Sequence, residues 1–405
     1  MIKRLLVTTE QHFQRYSGQI YTDIALPYEY WREYLDVFDE VKVVARVRDI
    51  EEFPKHLIRA DGKGVSFVGL PDYYGPWQFA KVALWVLARC FNAVRRSDYI
   101  LLCMGNIATC VWFCAKVLHK SYAVELLGDP FEATIQAKQA GSHILDWFFA
   151  KIIHRMNILQ ARSACCAGYV CEYLHQRYHT KYPEREFVFS DVLLPEELIA
   201  LPGTQDSLKS RDPIIVSVGR LMPEKGHKTL VEVADRLREL RGDKWQIRII
   251  GGGPEMENLR KLIELRGLRD KVYLLGVVKW GPDLFKLLDD ARLFVLPSLT
   301  EGMPRALIEA MAKGLPAIGS KVGGIIDLLD EEDLVEPGDV DMLAERINAV
   351  LNDIPRLERM SRRNFQKAME YRPEVIRGRK HLFWNTLIRN SRVNSEFLCA
   401  DSLKN

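Results

Sequence analysis

The chain has 405 residues, a hydrophobic content of 48%, a charged content of 27% and a formal net charge of +3. This length suits two or three domains, and the composition is that of a globular protein with sizeable cores. A net charge this close to zero gives no reason to expect a nucleic-acid partner.

Eight cysteines are present, but none is spaced as a Cys-x-x-Cys pair. Disulfide and zinc frameworks depend on such pairs or on a short secreted chain, so we expect buried free thiols in a reducing cytoplasm. The apolar segment in MIKRLLVTTE is too short for a signal peptide. The longest uncharged run, residues 99–115, is shorter than the roughly 20 apolar residues that a membrane-spanning helix needs.

The first half of the chain alternates apolar runs with amphipathic ones. Strands are predicted at RLLVTT, VKVVARV, DYILLC and SYAVELLG, and helices at PYEYWREYLDVF and TCVWFCAKVLH. A loop that carries Ser17-Gly18 follows the first strand. The polar segment 200–212, with Gly, Pro and Ser, is typical of a linker to a second domain.

The alternation is more regular after residue 213. Strands are predicted at PIIVSVG (213–219) and WQIRIIG (245–251), with an amphipathic helix over 227–240. A second helix is predicted over 254–268, with Pro254 at its first position. The rhythm continues through KVYLLG, DLFKLLDDA, RLFVLPS, ALIEAMAKG, PAIGS, IIDLLD, LVEP and DMLAERINAVL. It predicts a doubly wound parallel sheet, in which ligands bind at the carboxyl ends of the strands.

A basic pair follows the predicted strand 213–219. Arg220 and Lys225 lie in RLMPEKG, between a strand and a helix. Arginine can donate two hydrogen bonds to phosphate oxygens and lysine adds a point charge, so the pair suits a diphosphate. A solvated turn with incidental charge explains the same residues, and the sequence leaves both interpretations open.

The glycines of GGGP (251–254) lie at the next strand-to-helix junction. A dinucleotide fingerprint would need a further glycine where Met256 stands. It would also need an acidic residue about 20 positions on, where the chain has Lys271-Val272. A nicotinamide cofactor is therefore disfavoured, and glycines that only allow a close turn remain the alternative.

Two glutamates, Glu301 and Glu309, stand with seven residues between them in SLTEGMPRALIEAMAKG. Pro304 suits the first turn of a helix, so the backbone N–H groups of Gly302 to Arg305 would form an anion site there. Over a helix, the two glutamate backbones would be about 12 Å apart. Paired glycosidase carboxyl groups are roughly 5 to 9.5 Å apart, so an acid–base hydrolase is disfavoured. A dimetal site is poorly supported, because no histidine lies near either glutamate. A capping acid plus a solvated helix charge is the simpler alternative.

Together these motifs resemble the C-terminal domain of retaining nucleotide-sugar glycosyltransferases with the GT-B fold, of the glycosyltransferase family 4 type. The resemblance is dense over residues 213–353 and keeps the motif order. It implies an α/β protein with two doubly wound Rossmann-like domains facing across a cleft, and a C-terminal helix that crosses back to the first domain. The corresponding bounds are 1–205 for an acceptor-binding domain, 206–372 for a nucleotide-sugar domain and 373–405 for the crossover helix and tail.

The resemblance also implies roles for single residues. Arg220 and Lys225 would neutralise the donor diphosphate, Glu301 would bind sugar hydroxyls, and Glu309 would bind the ribose. Backbone groups of 276–278 would hold the base. The implied donor-site residues are Gly18, Gly219, Arg220, Lys225, Gly252, Val277, Glu301, Gly302, Met303, Pro304, Arg305 and Glu309, with Arg220, Lys225, Glu301 and Asp129 as the catalytic set. Front-face substitution, with the leaving diphosphate helping to take the acceptor proton, would need neither metal nor cofactor.

The first domain departs from the family pattern. The glycine pair that faces the diphosphate is Ser17-Gly18 here, and the family's His-Gly is Leu127-Gly128. Because that histidine is absent, Asp129 or Glu125 would take part of its role. The acid of the family's VGGIPELL segment is shortened to Asp327.

The acceptor is expected to bind the first domain. Tyr73, Tyr74 and Trp77 would stack on a sugar or a lipid head, although aromatic loops also simply pack. The segment 143–156, apolar on one side and basic, is either a membrane-surface helix or a buried helix between domains.

The resemblance therefore implies a retaining, metal-independent, hexosyltransferase-type enzyme that uses a UDP- or GDP-sugar. Its acceptor would be a glycan or a lipid-linked molecule, in the synthesis of a surface polysaccharide or glycolipid. It is expected in the cytoplasm, with peripheral contact to the membrane left open. Two other classes remain. One is an epimerase or sugar phosphorylase on a similar fold, which would act without an acceptor, and the other is a non-catalytic subunit that binds a sugar nucleotide or a glycan.

Overall fold

The computed structural model of the chain describes residues 2–23, 26–54, 56–128, 144–199 and 212–401. The chain divides into two compact units. The first unit comprises Met1–Val170, Leu174–Phe189 and Gly378–Asn405, and the second comprises Cys171–Tyr173 and Ser190–Arg377. Asp129 and most of the expected linker, residues 200–211, lie outside the described residues.

Strands and helices alternate along both units. The strands are β1 (Arg4–Tyr16), β2 (Gln19–Thr22), β3 (Glu40–Asp49), β4 (Ile58–Arg59), β5 (Val65–Leu70), β6 (Tyr99–Cys103), β7 (Ala123–Leu126), β8 (Ala167–Tyr169), β9 (Glu186–Val188), β10 (Ile214–Val218), β11 (Gln246–Ile250), β12 (Val272–Gly276), β13 (Leu293–Leu296), β14 (Ala317–Ser320) and β15 (Leu334–Val335). The helices are α1 (Tyr28–Arg32), α2 (Gly75–Arg95), α3 (Asn106–Val117), α4 (Ile144–Arg162), α5 (Glu172–Arg177), α6 (His227–Arg241), α7 (Met256–Leu265), α8 (Pro282–Asp290), α9 (Arg305–Ala312), α10 (Val340–Asn352), α11 (Ile354–Ala368) and α12 (Pro373–Asp401).

Within the described residues, the first sheet has nine strands. Seven of them are parallel neighbours in the order β5-β3-β1-β6-β7-β8-β9. The first strand is longer than the predicted RLLVTT, because β1 shifts its register with β3 after Thr8 and continues to Tyr16. It then pairs with β2 in antiparallel fashion. The expected loop at Ser17-Gly18 is therefore a two-residue hairpin turn, with φ of 48° and 80° at its two residues.

The second sheet, over the part of the chain described, has six strands in the order β12-β11-β10-β13-β14-β15. All neighbouring pairs in it are parallel. Ile214 and Val216 lie in one hydrophobic core, with Leu307 of α9. Ile215, between them, lies in the other, with Leu230 of α6. Because successive strand residues face opposite ways, both faces of the sheet are covered, as the doubly wound prediction requires.

One helix start differs from the prediction. Helix α7 begins at Met256, and Pro254 lies in the turn that precedes it. The backbone N–H of Glu255 donates to the carbonyl of Leu221 at 3.0 Å. This tertiary hydrogen bond uses residues that the sequence assigned to the first helical turn, so the helix starts two residues later.

The last helix returns to the first unit, as expected. Lys380 Nζ contacts a carboxylate oxygen of Glu33 at 2.9 Å. Phe383 is fully buried, with its ring centroid 5.4 Å from that of Phe189. Trp384 packs on Tyr34 at 4.8 Å.

Six of the seven cysteines in the described ranges are buried, which agrees with the expectation of buried thiols. In the same ranges, every helix is too short or too polar to cross a bilayer. Helix α4, which covers the predicted segment 143–156 from Ile144 onward, packs on α3, where Gln160 donates to the Thr109 hydroxyl at 2.9 Å.

Candidate active site

The strand order of the second sheet places a crevice beside β10. Strand β10 has β11 on one side and β13 on the other. The chain therefore adds β11 and β12 on one side of β10 and later adds β13 on the opposite side. In open α/β sheets, ligands bind at such a switch point, outside the carboxyl ends of the strands. The loops in question are 219–226, which follows β10, and 297–304, which follows β13. They carry the two motifs that the sequence singled out.

Two glycines allow the loops to approach closely. Gly226 has a φ of +65°, and a Cβ there would lie 1.9 Å from the Pro297 carbonyl oxygen. Gly251 has a φ of +148°, and a Cβ there would lie 1.8 Å from the Gly219 oxygen. A side chain at either position would therefore push apart the loops that follow β10, β11 and β13.

Lys225 and Glu301 meet at this crevice. Lys225 Nζ lies 2.7 Å from Glu301 Oε1, and their side chains are only 19% and 7% exposed. The Ser298 hydroxyl donates to the same oxygen at 2.8 Å. Both donors use Oε1, and within the described residues Glu301 Oε2 makes no hydrogen bond. A largely buried ammonium is thus neutralised by a carboxylate that keeps one oxygen for a ligand.

Arg220 lies on the same loop and is exposed. Among the residues that the structure describes, its guanidinium has neither an ion pair nor a hydrogen bond. It therefore offers a full set of donors to an anion at the crevice.

The residues that begin α9 present a smaller set of donors than the sequence suggested. Pro304 is the N-cap of α9 and Arg305 its first residue. Because proline has no N–H, the donors of this segment are the amides of Gly302, Met303 and Arg305. The Gly302 carbonyl accepts from the Gly324 amide at 2.8 Å, which braces the loop from behind.

Glu309 lies on the buried side of α9, with 7% of its surface exposed. Burial raises the pKa of its carboxyl group, while the Trp280 indole and the charge of Arg305 act in the opposite direction. Trp280 Nε1 donates to Glu309 Oε1 at 3.0 Å. Trp280 was not predicted as a site residue, although an aromatic residue in the loop after strand β12 was a usable signal.

Gly252 and Val277 lie side by side at the ends of β11 and β12. A Cβ on Gly252 would come within 2.6 Å of Val277 Cγ2. Val277 is 81% exposed, which is unusual for valine. The two residues form an apolar rim at the carboxyl edge of the sheet.

His227, at the start of α6, was not predicted as a site residue. Its ring is buried, and both ring nitrogens lack a hydrogen-bond partner in the described structure. Burial, with a smaller contribution from the charge of Lys225, lowers the pKa of His227 to about 4. A Cβ added at Gly219 would lie 3.7 Å from the imidazole. The neutral ring therefore packs against the start of loop 219–226.

Several of the predicted residues belong to the first unit. Gly18 is exposed in the β1–β2 turn. Glu125 is buried, and the Tyr34 hydroxyl donates to it at 3.4 Å. Asp129 lies outside the described residues. Of the aromatic residues expected to meet an acceptor, Tyr73 is buried, whereas Tyr74 and Trp77 are 60% and 77% exposed.

Asp327 has a structural contact. Its Oδ2 accepts from the backbone amide of Glu172 at 2.6 Å. Burial raises its pKa, and the amides of Glu172 and Tyr173 oppose that shift. Asp327, which stands where the family pattern has a longer acid, thus binds the backbone at the start of α5.

The two α/β units with parallel sheets form a GT-B fold. Sucrose-phosphate synthase from Thermosynechococcus elongatus superposes with a TM-score of 0.66 over 96% of this chain and 99% of its own, at 16% identity. HepE from Anabaena, solved in complex with UDP-glucose, superposes with a TM-score of 0.59 over 98% of this chain and 99% of its own, at 15% identity. At these identities the likeness concerns the fold.

Sequence relatives add a protein class. The family model described as Glycosyl transferases group 1 matches residues 204–367, which include the crevice residues of the second unit. Protein CapJ of Staphylococcus aureus is 24% identical over 359 residues, 85% of each chain. The putative colanic acid biosynthesis glycosyltransferase WcaL of Escherichia coli K12 is 39% identical over 144 residues, 33% of this chain and 35% of that protein. These matches support a GT-B glycosyltransferase.

A test of the buried imidazole follows from its lowered pKa. The unfolded chain takes up a proton on His227 near pH 6.5 and the folded one near pH 4, so stability is lost as the pH falls between these values. From pH 7 to pH 5 this costs about 2 kcal/mol. His227→Phe removes the titrating group, so the variant should lose less free energy of unfolding over that interval, measured by urea titration.

His56→Gln, at an exposed histidine, is the control and should follow the wild type. Glu309 and Asp327 have raised pKa values and give the opposite slope, but they are unchanged in all three proteins. Equal losses in wild type and His227→Phe would contradict the assignment of a neutral, buried ring.

Proposed function

We propose that the chain is a retaining, metal-independent glycosyltransferase that transfers a sugar from a UDP- or GDP-sugar to a glycan or lipid-linked acceptor. The observation that carries the proposal is the contact of 2.7 Å between Lys225 and Glu301 at the switch point. An ammonium beside a half-occupied carboxylate suits the junction of a diphosphate with a sugar, where negative charge and hydroxyl donors are adjacent.

The diphosphate would be bound by groups of three kinds. Lys225 has three N–H donors and uses one for Glu301, which leaves two for phosphate oxygens. Arg220 can add a bidentate contact from the same loop. The amides of Gly302, Met303 and Arg305 add hydrogen bonds at the start of α9. Two cations and these amides supply the charge stabilisation that a metal ion provides in other sites.

The chemistry we propose is a front-face substitution. The bond between the anomeric carbon and the β-phosphate oxygen breaks, and the acceptor oxygen bonds to that carbon on the same face. The acceptor proton passes to a departing phosphate oxygen. Arg220 and Lys225 stabilise the charge that grows on the diphosphate, while Glu301 Oε2 holds a sugar hydroxyl and fixes the ring.

The nucleoside would lie beyond the diphosphate. Glu309 would accept hydrogen bonds from the two ribose hydroxyls, which would add donors to the single one from Trp280. The exposed rim of Val277 and Gly252 would contact the base. The UDP-glucose complex of HepE supports a uridine nucleotide as the first candidate, and the WcaL match supports a polysaccharide-related acceptor.

Lys225→Ala tests the diphosphate site. We expect UDP or GDP to raise the melting temperature of the wild type and to do so with EDTA present. Loss of Lys225 should lower kcat/KM about 10²- to 10³-fold, the effect of removing one group that stabilises developing charge. The measurement is nucleotide release from a panel of UDP- and GDP-sugars, with and without a glycan acceptor, and NMR of the product's anomeric centre.

Lys228→Ala is the matched control, because Lys228 is one turn away and its side chain is 70% exposed. It should retain wild-type turnover. The proposal is wrong if Lys225→Ala matches the control, if product forms without an acceptor, or if the anomeric configuration inverts.

Glu309→Gln tests the ribose contact. The substitution keeps the shape and the acceptor oxygen but removes the charge, so each ribose hydrogen bond weakens. We expect affinity for the preferred nucleoside diphosphate to fall about tenfold or more, which corresponds to about 1.4 kcal/mol. A 2′,3′-dideoxy nucleotide should bind wild type and variant equally in calorimetry. An equal loss of affinity for both nucleotides would contradict the proposed contact between Glu309 and the ribose.

We further propose that the first unit binds an anionic membrane surface through α2. Trp77, Leu84, Trp85 and Phe91 are exposed on it, Leu84 to 86%. Helix α2 contains no Asp or Glu, and Lys81 and Arg89 lie among these apolar side chains. Exposed apolar groups with interleaved cations suit the boundary between lipid headgroups and acyl chains. Such an attachment would bring a lipid-linked acceptor to the enzyme.

Leu84→Ser should reduce co-sedimentation with vesicles that contain phosphatidylglycerol. Each methylene that leaves the lipid costs about 0.8 kcal/mol, so several-fold weaker binding is expected. Leu265→Ser is the control, since Leu265 is 85% exposed on α7 of the second unit. Equal binding of the two variants, or equal binding to phosphatidylcholine alone, would contradict this surface.

A further inference from the structure

Three side chains that could bind a metal ion converge at the edge strand of the first sheet. His175 lies in α5, His179 follows that helix, and Glu186 is the first residue of β9. One atom from each, two imidazole nitrogens and a carboxylate oxygen, lies within 4.8 Å of the others. None of the three belongs to the crevice described in the second unit.

Hydrogen bonds to Oε1 fix the orientation of the Glu186 carboxylate. Its Oε1 accepts from the backbone amide of Thr180 at 2.5 Å and from the Tyr169 hydroxyl at 3.5 Å. These contacts direct Oε2 to the histidines, at 2.8 Å from His175 Nε2 and 3.4 Å from His179 Nδ1. A carboxylate oxygen held by partners outside the coordination shell is the arrangement that fixes ligands in metal sites.

The Glu186 carboxylate is buried, because its side chain is only 3% exposed. A buried carboxylate that directs one oxygen at two imidazole nitrogens provides a favourable place for a cation between them.

The imidazoles differ in solvent exposure, which suits capture of an ion from solution. The ring of His175 lies against Tyr169, with 5.0 Å between centroids, and its side chain is 28% exposed. The His179 side chain is 57% exposed and can rotate. The rings of His175 and His179 are 5.5 Å apart. One nitrogen is thus held in place and the second is reachable from solvent.

The distances agree with a tetrahedral shell. Zinc binds nitrogen and oxygen ligands at about 2.0–2.1 Å, so neighbouring ligand atoms are about 3.4 Å apart. The distance from Glu186 Oε2 to His179 Nδ1, 3.4 Å, matches this value, and the distance to His175 Nε2, 2.8 Å, is shorter. A turn of the exposed His179 ring closes the remaining nitrogen-to-nitrogen gap.

We propose that His175, His179 and Glu186 form a binding site for a divalent transition-metal ion, Zn²⁺ in the first instance, with water as the fourth ligand. Two imidazoles and one carboxylate are a donor set that zinc accepts. The ion would connect α5 and the loop after it to β9, and so stabilise the edge of the first sheet. Its role is independent of sugar transfer, which the proposed mechanism performs without a metal.

The test uses the full chain without a histidine tag, freed of metal by EDTA. Competition with a chromogenic chelator should give one tightly bound Zn²⁺ per chain. Co²⁺ in its place should give the intense visible absorption of a tetrahedral N/O site. Because the ion binds the folded state, one equivalent of Zn²⁺ should raise the melting temperature.

His179→Gln removes the exposed ligand with little risk to folding. It should weaken the binding of Zn²⁺ at least tenfold and abolish the increase in melting temperature. His175→Asn should do the same. His56→Gln, at an exposed histidine outside the cluster, should bind as the wild type does. Absence of stoichiometric Zn²⁺ in the wild type would overturn the proposal. Zn²⁺ affinity unchanged by His179→Gln would overturn it as well.

Discussion

The chain in the second unit leaves the middle of its sheet at β10 and later returns beside it at β13, and this order determines where polar groups can meet. The two loops that end these strands part above the sheet, and ligands of such sheets bind in the opening. Lys225 and Glu301 are 76 positions apart in the chain and reach each other only here. Gly226 permits that approach because any Cβ would collide with the Pro297 carbonyl.

The charges of the crevice are arranged around that pair. Lys225 and Glu301 neutralise each other, so neither is left buried and unpaired. His227, two residues after Lys225, is neutral near pH 7, which avoids a second positive charge in the interior. Arg220 remains exposed at the mouth. Glu309 follows the same logic, because Trp280 supplies one hydrogen bond to a carboxylate that would otherwise lose its hydration without compensation.

The first unit has a different balance of buried and exposed groups. Its sheet is extended by the long β1 and the hairpin at Ser17-Gly18. Helix α2 exposes apolar and basic side chains to solvent. The carboxylates of Glu125 and Glu186, in contrast, are buried and accept hydrogen bonds. The histidine that the family pattern puts in this half is Leu127 here. The second unit thus holds the polar groups that meet at the switch point, and the first unit carries the departures from the family pattern.

Much of the second unit could be predicted from residues alone. Helix and strand periods are local properties, so the alternation after residue 213 predicted a doubly wound parallel sheet, and RLMPEKG and EGMPRALIE pointed to its carboxyl edge. Boundaries were less accurate where long-range bonds intervene, as at Glu255, whose amide binds the Leu221 carbonyl.

Partnerships between distant residues needed the tertiary structure. Nothing in the sequence joins Trp280 to Glu309, places the His227 ring under Gly219, or brings Glu186 to His175 and His179. The sequence by itself determined which residues could carry charge or donate a hydrogen bond, and which faces of each helix are apolar. Only the fold decided which of those groups lie within bonding distance, because the order of parallel strands brings together loops that the chain separates by many residues.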